Sequence, residues 1–260
     1  MNEYIEVNNV TFSYQDRVPQ LHQLSTTIKK GRITTIIGPN GCGKSTFLSV
    51  LTNFNIPQHG QIILDGKELN KYKPKELAKK LGVVHQKNIA PEDMTVEKLV
   101  QYGRLPYKSA FTLPSEKDEE KVKWALTSTG LYEKRKELID TLSGGQQQRA
   151  WIAMALAQDT PYLFLDEPTA NLDIFFQYEI LELVKKLCAE YSLTIVMILH
   201  DINQAIQYSD TIIAMKNGEI IKSGTPNTII TDQLIHDVYG IKVVVKEEEN
   251  VGKYIIPIGI

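Results

Sequence analysis

At 260 residues, with 42% hydrophobic and 23% charged side chains, the chain can bury a substantial core and reads as one elaborated domain or two small ones. A formal net charge of −2 offers polyanions no overall attraction, so nucleic-acid binding is not expected. Two cysteines, Cys42 and Cys188, give no disulfide framework and fit a reducing cytosol; no apolar run approaches membrane-spanning length, and the segment from Met1 to Glu6 lacks the basic start and apolar core of a signal peptide.

Residues 3–14 alternate as a strand does, through Tyr4, Ile5, Val7, Val10, Phe12 and Tyr14, and residues 21–28 make a second strand before a turn at Lys30-Gly31. Tyr14 either stacks on a nucleobase or is a half-buried strand tyrosine. A short β-branched run, residues 33–37, leads into Gly38-Pro39-Asn40-Gly41-Cys42-Gly43-Lys44-Ser45-Thr46, and a helix is predicted over 44–54. This fits the phosphate-loop pattern of Gly, four residues, Gly, Lys, Ser or Thr, in the strand-loop-helix context that the pattern requires. Glycines let backbone approach anionic oxygens and adopt positive φ, so that N–H groups and a helix N-terminus point at phosphate. Lys44 then supplies a charge near the β- and γ-phosphates, and Ser45 a hydroxyl suited to Mg²⁺. Cys42 lies among amides that favour a thiolate, unless it is simply a small side chain that packs.

His59-Gly60 and Asp65-Gly66 bracket residues 61–64 as a short hairpin of strands. A lysine-rich stretch over 71–80 reads as the solvated face of a helix entered at Pro74, and residues 81–86 as a strand ending in His85-Gln86 where a sheet edge reaches a ligand. From 87 to 140 the pattern turns helical, with loop prolines at Pro91, Pro106 and Pro114 and no convincing strand, as an inserted region would. Its best-marked helix starts at Ser115, with Asp118 completing a capping box, and stops at Gly130.

Leu142-Ser143-Gly144-Gly145-Gln146 feeds a helix over 147–158. Its N-terminus can receive an anion, with Ser143 capping the helix and donating to phosphate; a plain capped helix is the alternative. The run from Tyr162 to Leu165 is a buried strand that delivers Asp166, suited to a Mg²⁺ shell, and Glu167, placed to polarise a water, unless the pair only charges the turn marked by Pro168. An amphipathic helix over 176–187 precedes a strand, 194–199, that brings His200-Asp201 to the same edge. Residues 210–215 and 219–222 flank the hairpin signal Asn217-Gly218, and the tail from 224 reads as a helix near 232–239 and two short strands. Strands alternating with helices imply an α/β core with a largely parallel sheet.

Together these motifs resemble the nucleotide-binding subunit of ATP-binding-cassette (ABC) transporters over the first 223 residues: the phosphate loop Gly38 to Thr46, the aromatic Tyr14, the glutamine loop at Gln86, the signature Leu142 to Gln146, the acidic motif Leu163 to Glu167, and the switch histidine His200. The loop after the acidic motif matches Ala170-Asn171-Leu172-Asp173, with Asn171 where Ala is more usual. The resemblance implies an α/β P-loop NTPase of the ABC type, a single domain over 1–260. Its α/β core and antiparallel β subdomain would comprise 1–86 and 160–223, its inserted helical subdomain 87–159 and its C-terminal extension 224–260. It implies ATP and Mg²⁺. Nucleotide would be bound by Tyr14, Gly38, Asn40, Gly41, Cys42, Gly43, Lys44, Ser45 and Thr46, and by Ser143, Gly144, Gly145, Gln146 and Asp173. The metal would lie on Ser45, Gln86 and Asp166; Glu167 would be the general base, with His200 at the γ-phosphate and Lys44 and Gln86 assisting.

The same resemblance implies a head-to-tail dimer enclosing two ATP molecules, each between one subunit's phosphate loop and the other's signature motif. It also implies integral-membrane permease subunits as partners, a periplasmic or lipid-anchored substrate-binding protein indirectly, and a peripheral place on the cytoplasmic face of the cell membrane. The stretch Val100 to Tyr107 resembles the helical region of importers for ferric siderophores, haem and cobalamin, so siderophore import is expected, with haem or cobalamin as the alternative cargo. A soluble cassette ATPase acting on nucleic acid or ribosomes usually carries paired cassettes or a long coiled coil, whereas this chain has one motif set and no sustained heptads. A nucleotide switch that does not hydrolyse is disfavoured by the presence of both Glu167 and His200.

Overall fold

The computed structural model describes residues 4–14, 19–108 and 115–260. Glu3, expected at the start of the first strand, and the loop proline Pro114 lie outside the described residues. In chain order the elements are β1 (Tyr4–Phe12), β2 (Leu21–Lys29), β3 (Ile33–Ile37), α1 (Lys44–Leu51), β4 (His59–Leu64), β5 (Lys67–Glu68), α2 (Pro74–Leu77) and β6 (Leu81–Val84). There follow α3 (Val96–Tyr102), α4 (Glu116–Ser128), α5 (Gly144–Ala157), β7 (Tyr162–Leu165), α6 (Ile174–Tyr191), β8 (Thr194–Ile198) and α7 (Ile202–Tyr208). The chain then continues through β9 (Thr211–Lys216), β10 (Glu219–Gly224), α8 (Pro226–Ile229), α9 (Asp232–Tyr239), β11 (Lys242–Glu248) and β12 (Gly252–Gly259). Two compact units divide it: Met1–Tyr72 with Val196–Ile260, and Lys73–Ile195.

The first unit holds an antiparallel sheet in the order β2-β1-β4-β5. Alternation makes it one-sided: Ile5, Val7, Val10, Leu24, Ile28, Ile62 and Leu64 are buried while their neighbours along the strands reach solvent. The β4–β5 turn uses Asp65 and Gly66, both at positive φ, as a tight hairpin demands. In the same unit β3 pairs in parallel with β9, from Thr34↔Thr211 to Ile37↔Ala214, and β10 returns antiparallel on β9. All five residues of β3 are buried, as suits a strand covered on both faces. After β10 come α8, α9 and the antiparallel hairpin β11–β12.

The second unit pairs β6 with β7 in parallel, Leu81↔Tyr162 to Val84↔Leu165, and packs α3 and α4 on α5. Alanines on α5 let its neighbours come close: Ala150, Ala153 and Ala157 are fully buried, and the backbone of Gly103, just past α3, lies so near that a Cβ there would sit 2.1 Å from the Met154 carbonyl oxygen. Arg104 follows, 2% exposed, donating from Nε to Asp118 Oδ1 at 2.8 Å and from Nη1 to the Ala157 carbonyl at 2.7 Å. Asp118 also closes the capping box at Ser115. Burial alone would raise the Asp118 carboxyl; the hydrogen bonds from Arg104 and Ser115 and the guanidinium charge prevail and hold it at about 2. Several expected helix boundaries shift, two of them for a visible local reason. Helix α1 ends at Leu51 rather than 54 because Asn53 turns left-handed, with φ of 59°, and α5 begins at Gly144 rather than 147 because Ser143 is its N-cap.

Candidate nucleotide site

In the first unit β3 feeds the phosphate loop, whose glycines do what the motif demands. Gly38, Gly41 and Gly43 have φ of 153°, 77° and 102°, a region that side chains disfavour. The back of the loop is filled: a Cβ on Gly38 would meet the Met215 carbonyl oxygen at 2.2 Å and one on Gly43 the Gln20 carbonyl oxygen at 2.9 Å. The β9–β10 turn braces it, with Gly218 N–H donating to the Cys42 carbonyl at 2.9 Å and the Gly218 carbonyl accepting from His22 N–H at 2.8 Å. A Cβ on Gly41, by contrast, would meet nothing within 4 Å, and Gly41 is exposed, so the loop is open there. Lys44 is 5% exposed, and its ammonium donates to the Gly38 and Pro39 carbonyls at 2.8 and 3.0 Å, its own loop standing in for a ligand. Asn40 and Ser45 are exposed and Thr46 half-buried.

Two local expectations change. Cys42 is buried, and that burial pushes its thiol above the ordinary value, although the Lys44 charge and the loop amides pull the other way. The thiolate expected from those amides is therefore disfavoured, because desolvation outweighs them. Tyr14 is 59% exposed, so the half-buried reading does not hold; its ring stands edge-on to Phe12 at 4.9 Å, and its hydroxyl is 3.4 Å from Thr46 Oγ1. His200 is exposed directly after buried Leu199, and Asp201 caps α7 by accepting from Gln204 N–H at 2.9 Å.

The second unit carries the acidic and signature motifs. Asp166 N–H donates to the Val84 carbonyl at 2.9 Å, extending the β6–β7 pairing to the point where both strands end. Gln86, just past β6, donates its amide to Glu167 Oε2, and Glu167 sits at φ 51°, a left-handed value rare for a non-glycine residue and concentrated at functional sites. At the start of α5, Ser143 N–H donates to Gln146 Oε1 at 3.2 Å and Ser143 Oγ accepts from Gln146 N–H at 3.4 Å, leaving Ser143 and Gly144 exposed. The glycines are needed for space. A Cβ on Gly145 would meet the Phe176 ring at 2.9 Å, and one on Gly144 would meet Leu172 at 3.3 Å. Asp173 is exposed at the N-cap of α6, and Ile174 and Phe175 follow at 72% and 70% exposure.

The structure thus groups Tyr14, the loop 38–46 and His200 in one unit, and Gln86, Ser143 to Gln146, Asp166, Glu167 and Asp173 in the other. Sequence reasoning missed the bracing turn beside the loop, although Asn217-Gly218 was its signal.

The family described as ABC transporter matches residues 21–170. The chain is 43% identical over 237 residues to "Ferric enterobactin transport ATP-binding protein FepC" of Escherichia coli (strain K12), covering 91% of this chain and 88% of that protein. It is equally similar, at 43% over 237 residues with the same coverage, to "Iron(3+)-hydroxamate import ATP-binding protein FhuC" of Bacillus subtilis (strain 168). Among solved structures, the dimeric structure of MJ0796, a bacterial ABC transporter cassette, matches with a TM-score of 0.74 and 32% identity over 85% of this chain and 98% of that one.

Proposed function

This chain belongs to the ABC transporter family, and from that premise we propose that it is the ATP-hydrolysing subunit of a membrane importer whose cargo is a ferric siderophore. The observation that carries the chemistry is the phosphate loop, packed at its back, open at Gly41, with the Lys44 ammonium held on the loop's own carbonyls. A triphosphate offers that ammonium stronger, charged acceptors, the loop amides take its oxygens, and Tyr14 gives the base an exposed ring to stack on.

The donors suit Mg²⁺: a serine hydroxyl at Ser45, the Asp166 carboxylate and the Gln86 amide oxygen are hard ligands. Among the described residues no cluster of three acidic, cysteine or histidine side chains forms a cage, in keeping with an ion that completes its shell from phosphate and water. When bound, that ion would neutralise charge on the β- and γ-phosphate oxygens. Glu167, its carboxylate oriented by the Gln86 amide, takes the proton of the attacking water, and His200 contacts the γ-phosphate.

Ser143 and Gly144 present an exposed helix N-terminus with room for an anion. In this reading the anion is the ATP of a second, head-to-tail copy, whose surface also covers Ile174 and Phe175. Exposed Ile89, Tyr102 and Leu105 offer apolar surface to permease subunits. Among the described residues no helix is long and apolar enough to cross a membrane. In this reading the chain is a peripheral subunit on the cytoplasmic face, held by the permease and served indirectly by a substrate-binding protein. The cargo rests on the names of the two relatives, one for ferric enterobactin and one for iron(3+)-hydroxamate.

Glu167→Gln tests the chemistry. Phosphate release should fall by about 10²-fold or more while ATP binding persists; near-wild-type release would remove Glu167 from the role of base. Deletion of the chain in its host should abolish uptake of iron chelates and spare haem and cobalamin, and the opposite pattern would overturn the cargo.

A further inference from the structure

Residues 225–260 lie beyond every motif with chemical meaning, yet they reach the nucleotide half of their own unit at two points. One is α7, the short helix that begins just after His200-Asp201. Asn203 on that helix is gripped in both directions by one residue of β12: its Oδ1 accepts Ile255 N–H at 2.9 Å, and its Nδ2 donates to the Ile255 carbonyl at 3.2 Å. An amide bonded through both of its functions to one residue's backbone fixes rotation and distance together, as a ladder pair in a sheet does. A helix of seven residues cannot hold its own position by propensity and takes it from such contacts.

The second point is the phosphate loop. Tyr239 ends α9, and its hydroxyl is buried without a partner of full hydrogen-bond geometry; the groups acting on it are the Gly38 amide and Cys42. On the same helix the Asp237 carbonyl accepts from the Lys216 ammonium, at the foot of the turn that braces Cys42. A buried hydroxyl without a partner costs stability that a phenylalanine ring would not, so packing alone does not call for the oxygen. The helix that carries it is tied, through Asp237 and Lys216, to the turn that braces the loop.

We propose that the C-terminal segment 225–260 is a positioning element of the nucleotide site, in which β12 sets His200 through Asn203 and α7, and Tyr239 backs the phosphate loop at Gly38. The proposal rests on the roles given above to His200 and the loop. It assigns the two contacts different kinetic signatures, because one acts near the γ-phosphate and the other where the nucleotide docks.

The test is steady-state hydrolysis by the full chain, with melting temperatures recorded in parallel. Asn203→Ala should lower kcat on the order of tenfold with the KM for ATP unchanged, and Asn203→Asp, which keeps the acceptor for Ile255 N–H but sets a carboxylate oxygen against the Ile255 carbonyl, should restore only a minor part of the rate. In a His200→Ala background, Asn203→Ala should cost nothing further. Tyr239→Phe should raise the KM for ATP severalfold with kcat unchanged, and Ile256→Thr, on the exposed face of β12, should alter neither constant. The proposal is overturned if Asn203→Ala and Tyr239→Phe shift the melting temperature in either direction and leave both kinetic constants unchanged, or if Asn203→Ala is equally harmful with and without His200. A His200→Ala variant of wild-type rate would instead refute the role of His200, and the KM of Tyr239→Phe would then decide the proposal alone.

Discussion

A buried guanidinium is tolerable only when its donors are engaged. Arg104 meets the condition through Asp118 and the Ala157 carbonyl, with the Tyr107 ring 4.0 Å from its guanidinium carbon. Arg104→Ala strands the Asp118 carboxylate, and the expected loss is about 3 kcal/mol, on the order of 6–12 °C in melting temperature. The pH dependence follows from Asp118, held at about 2 against an ordinary 3.8. A carboxyl depressed by folding stabilises fully above its unfolded value and loses that contribution as pH falls through its folded one. The gap in melting temperature between wild type and Asp118→Asn should therefore be widest at neutral pH and close towards pH 2. Thermal melts across that range check it, and a gap independent of pH would count against the pair. Little of this is legible in sequence: Arg104 lies in a stretch that reads as permease-facing, while its partners stand 14 and 53 residues away. Cys42 fails for a related reason, since its amide neighbours are adjacent in sequence but the burial that outweighs them comes from the fold.

For the elements, type is legible and limits are less so. Continuous apolar runs mark β3, β7 and β8, and the phosphate loop emerges between the strand and helix that its pattern requires. The start of α5 was obscured because Gly144 and Gly145 have low helix propensity. They are helical because Ser143 caps the helix ahead of them, and glycine is required at Gly145 because the Phe176 ring leaves no room for a Cβ, a constraint that appears only once α6 is in place. Four-residue α8 is too short for periodicity to reveal. Gly103 shows the same principle from the other side: its φ of −57° suits any residue, so its need is space beside α5. Gly103→Ala should cost up to about 3 kcal/mol as the added methyl forces the end of α3 off the Met154 carbonyl. Amide hydrogen exchange should quicken in α3 and α5 and remain unchanged in β3 and β9; unchanged exchange in α3 would show that the site can relax at no cost.

In the whole molecule, the proposed function makes Lys44 and Ser143 each part of an anion site, and the head-to-tail reading assigns one of each to every ATP. Mixing Lys44→Ala subunits with Ser143→Arg subunits then leaves one intact site per mixed dimer, so hydrolysis should exceed the sum of the separate mutants. A subunit carrying both substitutions, paired with wild type, should have no intact site. Activity in the second mixture and none in the first, in dimers shown to form, would sink the arrangement. The sequence exposes both motifs but not the apolar side chains that the first turns of α6 leave open to solvent, Ile174, Phe175 and Tyr178. Left uncovered, those side chains form an apolar edge on the lone chain. A copy made in excess of whatever covers that edge should be cleared faster than a copy in complex, so the yield of this protein in a cell should follow the supply of that covering surface as well as its own rate of translation.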